Sequence, residues 1–409
     1  MTKIQPYIYR PDNYNASTLS SPAPFMTKTV APGTVEIIQL STALDYMVDP
    51  SWTYTSPSTL DTKSYMLRAK NPVTVYQYSP WEGSATASAD ASLLLPANVY
   101  GKNYMIMNWA PNDARFSSNM TIVAVEPGTT HVEVRTKAKI SAGTGINAMN
   151  VNDKQEFDLT RFQVLNLTTY DTTDANREQT GSFITSDKKI AVYAGMKCSQ
   201  IPHGYTACDH LEEMLFPIQA WGKSYFAVPV EQRGDSDDIW RIVASENNTT
   251  VTLPSSLGGA FTLNAGQFKE IITPEVFEIQ SNKPISVGQF MTGQNYKNAN
   301  KGDPAFGLIV PHEQYRLDYY FSTPSSYNEN YITVIVPSDG TLELDGKPIS
   351  TSNFTPIGTS GFKYKYLSVT AGTHHMTGSK AFGLIGYGYS PYISYLYPIG
   401  LDLKIINTN

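Results

Sequence analysis

Along this chain, apolar residues fall in short runs of alternating or continuous character, broken repeatedly by Asn, Gly, Pro or Ser. The clearest stretch runs Arg241-Ile242-Val243-Ala244, then Asn248-Thr249-Thr250-Val251-Thr252-Leu253, then Phe261-Thr262-Leu263-Asn264-Ala265-Gly266-Gln267-Phe268. It closes with Phe277-Glu278-Ile279 and Ser281-Asn282-Lys283-Pro284-Ile285-Ser286-Val287. Period-two runs bounded by turn-formers predict strands joined by tight turns.

The same order of fragments returns elsewhere. An earlier copy holds Thr121-Ile122-Val123-Ala124, Thr130-His131-Val132-Glu133-Val134 and Ser186-Asp187-Lys188-Lys189-Ile190. A later one holds Ile332-Thr333-Val334-Ile335, Gly340-Thr341-Leu342-Glu343-Leu344 and Gly378-Ser379-Lys380-Ala381-Phe382. The N-terminal region carries only the second half, closing on Asn71-Pro72-Val73-Thr74-Val75-Tyr76. A second landmark follows: Leu95-Pro96 with Tyr104, Phe216-Pro217 with Tyr225, and Val310-Pro311 with Tyr319. Aligning Pro72, Lys189, Pro284 and Ala381 gives separations of 117, 95 and 97 residues, so insertions sit in loops and the copies are diverged modules.

This pattern predicts an all-β chain of about four diverged antiparallel β-sandwich-like pseudo-repeats. Five or six strands per unit favour sandwiches over four-stranded blades, with a propeller-like ring as the alternative. The expected organisation is an extended N-terminal arm over 1–30, a partial first module over 31–120, and a second over 121–240 with a cysteine-loop insertion. A third module spans 241–331, and a fourth with the C-terminal tail spans 332–409. Residues 209–216 are the best short helix candidate, and an ambiguous one.

Composition adds exclusions. The chain has 409 residues, enough for more than one core, and only 16% are charged, against about 25% in average proteins. Aromatics reach 12%, with 27 Tyr. The net charge of −6 is scattered, so nucleic-acid binding has no basic stripe to rest on. No apolar run approaches the ~20 residues of a spanning helix, which argues against membrane insertion. Met1-Thr2-Lys3-Ile4-Gln5-Pro6-Tyr7 lacks the apolar core of a signal peptide. The Asn/Ser/Thr/Pro-rich arm is either disordered or a link to a neighbouring copy, giving a homo-oligomer.

The two cysteines, Cys198 and Cys208, stand ten residues apart around a Gly- and Pro-containing stretch. That spacing suggests a local disulfide and an oxidising compartment. Reduced thiols and a zinc site using His203 and His210 are the alternatives, but the spacings do not match a zinc finger.

The run Cys198…Cys208-Asp209-His210-Leu211-Glu212-Glu213-Met214-Leu215-Phe216-Pro217, with Trp221-Gly222 and Arg241-Ile242-Val243-Ala244, resembles the IgGFc-binding protein N-terminal domain family over roughly residues 30–400. The resemblance implies a secreted or cell-surface adhesion or binding module without enzymatic activity. Antibody binding is not carried over to this chain with the family's name. Tyr397-Pro398-Ile399-Gly400 departs from the Pro-Gly-Gly-like ending expected there.

Several constellations are weighed against blander readings. Arg233-Gly234-Asp235-Ser236 spells an integrin-type tripeptide, but three-residue matches are common and Gly and Asp are ordinary turn residues. Asp235, Asp237 and Asp238 could ligate calcium, yet lack the EF-hand continuation and read as solvated turn acids. Asp209, Glu212 and Glu213 have no nucleophile motif beside them. No nucleophile elbow, phosphate loop or His-Glu-x-x-His helix occurs, so no catalytic residue, metal or cofactor is assigned. Tyr387, Tyr389, Tyr392, Tyr395 and Tyr397 pack five tyrosines into eleven residues. Exposed tyrosines suit sugar or protein contact, while alternation would bury half of them. Candidate ligand contacts are therefore Tyr387, Tyr389, Tyr392 and Tyr395, with His203, Tyr205 and Asp209 where the repeat is interrupted. The partner expected is a protein or glycan on a cell or host surface. A structural subunit of a bacterial or phage fibre, or a carbohydrate-active enzyme, are the other readings.

Overall fold

The computed structural model describes residues 7–9, 26–38, 58–62, 64–79, 88–111, 116–169, 176–231 and 233–407. Among these the fold is all β, with antiparallel sheets and single-turn 3-10 helices. The chain forms two compact units, residues 1–75 with 95–197, and residues 76–94 with 198–409.

In the first unit, β1 (Tyr7–Tyr9) lies between β2 (Met26–Thr27) and β4 (Met66–Arg68), with β3 (Thr59–Asp61) in another sheet. The described residues of the expected arm are thus paired within the chain; the rest of 1–30 lies outside the described residues. β5 (Val75–Ser79) pairs with β6 (Asp90–Leu94).

One strand order then recurs three times. The first set is β7 (Gly101–Met105), β8 (Ser118–Ala124), β9 (Thr129–Arg135), β10 (Lys154–Thr160), β11 (Val164–Thr168), the long β12 (Phe183–Ser199) and β13 (Asp209–Met214). β13 belongs to the second unit and is strand, where 209–216 reads as an ambiguous helix. All six of its residues are buried, which a segment covered on both faces requires and a half-exposed helix does not.

The second set is β14 (Gly222–Ala227), β15 (Asp238–Ala244), β16 (Thr249–Thr252), β17 (Ala260–Leu263), β18 (Phe268–Thr273), β19 (Phe277–Met291) and β20 (Ala305–Leu308). The third, counted without an extra two-residue edge strand β25 (Thr355–Pro356), is β21 (Arg316–Thr323), β22 (Glu329–Pro337), β23 (Leu342–Leu344), β24 (Lys347–Ile349), β26 (Phe362–Ser368), β27 (Gly372–Ser390) and β28 (Ile393–Pro398). The first half of each long sixth strand pairs with the first and third strands of its set, as Phe277–Gln280 does with β14. Its second half pairs with the second strand, and in β19 and β27 with the seventh. One bent strand thereby belongs to two sheets, which makes each set a sandwich.

The bend explains the recurring Ser-Asn/Asp-Lys sequence. Ser186 and Ser281 hydroxyls donate to the carbonyls of Lys188 and Lys283 at the bulge. Asp187 and Asn282 side chains accept from the amides of His131 and Thr250 on the third strand, and Ser379 from that of Thr341 just before it. Lys188 and Lys283 reach back to the carbonyls of Pro127 and Asn247.

The recurring tyrosine closes the other side. Tyr104, Tyr225 and Tyr319 accept from the amides of Gly101, Gly222 and Arg316, three residues earlier. Each hydroxyl then donates to a long-strand carbonyl, at Ile190, Ile285 or Phe382. In the second unit, Trp240, Ile242, Phe277, Ile279 and Val287 share one core with Tyr387, Tyr389 and Leu396.

Candidate functional site

In the second unit, the connections between sixth and seventh strands meet at one end. Cys198 and Cys208 are disulfide-bonded with Cα atoms 5.1 Å apart, and close the first of these connections. Gly293 N donates to Ile201 O at 2.7 Å, which ties this loop to the one between β19 and β20. The Asn295 side-chain amide donates to Thr206 O at 3.1 Å, and the Tyr205 and Tyr296 rings meet edge to face at 4.9 Å. The third connection, at Pro391-Tyr392, joins them through Tyr392 N donating to Gln294 Oε1 at 2.8 Å. Three loops from distant sequence positions therefore brace one another.

Tyr205 and Tyr392 are 39% and 42% exposed at this end, and His203 is exposed beside Tyr205. Tyr296 stands behind Tyr205, its hydroxyl donating to Asp237 Oδ2 at 3.1 Å. Lys297 pairs with the same carboxylate at 2.6 Å. The arrangement presents rigid rings with polar rims, the geometry that contacts sugars or protein surfaces at low entropic cost.

The structure moves Tyr387, Tyr389 and Tyr395 from the expected surface into the core, along with Tyr397. Their hydroxyls are satisfied internally: Tyr387 accepts from Glu231 N, and Tyr389 donates to Glu231 O. Tyr395 donates to Asn330 Oδ1 and Tyr397 to Ser322 O. Burial pushes Tyr387, Tyr389 and Tyr395 well above the ordinary phenol range, so they stay neutral. Glycines at 386 and 388 alternate with Tyr387 and Tyr389 on the opposite face of β27, and both faces of its second half, 382–390, are covered.

Arg233 is fully buried, its guanidinium donating to Lys301 O and Thr292 O at 2.9 Å each. An integrin-type tripeptide needs that guanidinium free. Asp237 and Asp238 are buried as well, not solvated turn acids; Asp238 Oδ2 accepts from Val230 N and from Gln289 Nε2. Asn119 and Asn166, each in an Asn-x-Thr sequence, are 4% and 5% exposed strand residues.

Asp209 is also buried, and it opens onto a second feature. β6, β13, β20 and β28 adjoin one another, and amides along them find side-chain acceptors. Asp90 Oδ2 accepts from Glu212 N at 3.1 Å and Phe306 N at 3.0 Å. Asp209 Oδ1 accepts from Ala89 N and His210 N, and Ser394 Oγ accepts from Asp303 N. Asp90, Asp209, Glu212, Glu213 and Asp303 are each at most 2% exposed. Burial is the main cause that raises Asp90, Asp209 and Glu213 well above the carboxylate range, and it lifts Asp303 to about 7. Asp90 and Asp209 so placed accept from strand amides, and acids buried in this way do not meet a sugar in solvent.

Reading the sequence missed Asp90 and Asp303, although Asp90 starts β6 and Asp303 lies two residues ahead of β20, each among small residues, as Ala89-Asp90-Ala91 and Gly302-Asp303-Pro304. The acid repeated at or just ahead of a strand, as Asp90 at β6, Asp209 at β13 and Asp303 before β20, was the available signal. Tyr296 was also missed, because it lies in a polar loop with no periodicity.

Among the described residues no helix is long and apolar enough to cross a membrane. A family profile described as IgGFc binding protein matches residues 90–388. The human IgGFc-binding protein is 25% identical over 315 residues, covering 75% of this chain; the chain spans about 6% of that relative's length. Among solved structures, an anti-sigma factor domain-containing protein from Clostridium clariflavum aligns over 98% of this chain and 99% of its own, at 10% identity and a TM-score of 0.14. A chain of the lipid-containing bacteriophage PM2 covers 68% of this chain and 84% of its own, at 9% identity and a TM-score of 0.12. At those scores neither bears on fold or function. The profile match spans most of the chain, reaching into all three strand sets, and this chain belongs to the IgGFc-binding protein family.

Proposed function

We propose that this chain is a non-enzymatic, secreted or surface-exposed recognition module that binds a protein or glycan ligand through the braced loop end. The observation that carries the reading is the meeting of three loops around Tyr205, Tyr296 and Tyr392, two of whose rings face solvent. Family membership supports a binding role, and a disulfide in the same loop supports an oxidising, extracellular setting. The IgG Fc in the human relative's name is one ligand to include in the test.

The test is a glycan and host-protein array, with IgG Fc among its probes, read with the wild-type chain and with Tyr205→Ala/Tyr392→Ala. Removing two exposed rings should leave the melting temperature within about 2 °C and weaken a genuine ligand at least tenfold, since buried aromatic anchors are worth about 2 kcal/mol or more at hot spots. A ligand that binds the double variant as tightly as the parent would place recognition elsewhere.

A further inference from the structure

The fifth strand of each set, β11, β18 or β26, pairs on its inner side with the second strand and ends that sheet's hydrogen-bonded core. In two of the three sets, a further antiparallel strand covers this edge. β3 covers β11, with Asp61 opposite Val164, Leu60 opposite Leu165 and Thr59 opposite Asn166. The next outward amide, Thr168 N, donates to Ser58 Oγ at 3.1 Å. β25 covers β26, with Thr355 opposite Tyr364 and Pro356 opposite Lys363. Matched through the long strands, the pairs Val123–Val164, Val243–Phe268 and Ile335–Tyr364 are equivalent, so the matching edge of β18 starts at Phe268. Among the described residues no strand pairs with it.

The ladder fixes which groups face out. Ala244 N donates to Gln267 O, so alternation turns the backbone groups of Lys269, Ile271 and Thr273 toward β15. Those of Phe268, Glu270 and Ile272 point away. Beside them Ile272 is 49% exposed, an apolar side chain on an open edge. Edges of this kind template an incoming strand.

The second set cannot close this edge with its own connection. In the third set, β25 comes from the long connection between β24 and β26. In the second, β17 and β18 are joined by Asn264–Gln267, a tight turn in which Gln267 N donates to Asn264 O at 2.9 Å. A covering strand must come from outside the set, as β3 does for β11. A second copy of the same edge fits poorly. Self-pairing centred on Glu270 or Lys269 opposes like charges, and centring on Ile271 sets Pro274, which has no N–H, against Phe268.

We infer that the β18 edge is a docking site for an extended segment of a partner protein, added antiparallel with a β-branched residue opposite Ile272 and a basic residue opposite Glu270. Glu270 already holds Arg241 at 2.6 Å, and its side chain remains 33% exposed, so a second cation would complete an alternating charge row.

The experiment uses the full chain and a capped heptapeptide, Thr-Val-Thr-Lys-Val-Val-Thr, followed by amide hydrogen exchange resolved to single residues. Binding should slow exchange at Phe268, Glu270 and Ile272 at least tenfold while leaving Lys269 and Ile271 unchanged. Ile272→Lys, at a solvent-facing position, should keep the fold and weaken the peptide at least tenfold; methylating the peptide's edge-facing amides should abolish binding. Tyr205→Ala/Tyr392→Ala should bind it normally, which separates this site from the loop end. No protection at these three amides up to about 1 mM peptide overturns the proposal. So does a peptide-independent dimer, by sedimentation, that Ile272→Lys dissolves, since it would assign the edge to a second copy.

Discussion

Replacing Tyr225 with phenylalanine removes one oxygen and leaves two buried backbone groups without partners. The hydroxyl accepts from Gly222 N at 3.1 Å and donates to Ile285 O, where β19 bends between its two sheets. Tyr225 is 2% exposed, so water does not take over either bond without disturbing the packing. Two net hydrogen bonds and the stranding of a buried donor and acceptor cost about 2–4 kcal/mol together. For a unit of this size that corresponds to a fall in Tm of about 4–16 °C by calorimetry. The same device recurs at Tyr104 and Tyr319, so Tyr104→Phe and Tyr319→Phe should each lose a comparable amount. Tyr205→Phe, at an exposed ring, should stay within about 0.5 kcal/mol. A loss below about 1 kcal/mol for Tyr225→Phe would refute the claim that the hydroxyl fastens the bend.

Two further perturbations probe the loop end and the acids beneath it. Cys198→Ser/Cys208→Ser opens a loop closed over a separation of 10 residues and should cost about 2–3 kcal/mol in urea unfolding, with faster amide exchange across 199–207; unchanged exchange there would show that the bonds of Gly293 and Asn295 hold the loop alone. Asp303 is raised to about 7 by burial, partly offset by its bond to Gln294 N and by Arg233. The folded state then binds the extra proton between about pH 4 and pH 7, so this group's contribution is present at low pH and lost as pH rises through 7. Its ceiling is about 4 kcal/mol at 1.36 kcal/mol per pKa unit. Asp303→Asn should flatten the fall in stability across that window, and an unaltered pH profile would count against a protonated carboxyl there.

Much of the scaffold was legible because strand periodicity is local. Ser281-Asn282-Lys283 and its counterparts announced a recurring element, and the structure shows each residue type bonding a particular backbone group at a bulge. The landmark tyrosines were visible for the same reason. The candidate site was less legible. Alternation says that neighbouring side chains of a strand face opposite ways, but not whether either face meets solvent. On the second half of β27 and on β28, both faces are covered, and Tyr387, Tyr389, Tyr395 and Tyr397 vanish into the core while Tyr392, in the turn between them, stays outside.

By itself, then, the sequence determined the strand class, the recurrence of one order of elements, and the cysteine-bearing interruption as the point where the copies diverge. Those properties follow from neighbours along the chain. Tertiary structure decided what surrounds each strand, and those partners come from far away: the Tyr76 hydroxyl bonds Ile399 O, 323 residues on, and its ring packs on Tyr397 at 4.7 Å. It also decided which loops meet, which acids share one buried space, and which of three equivalent edges has no strand upon it. Burial and open edges are properties of pairs of distant segments, and no single segment records them.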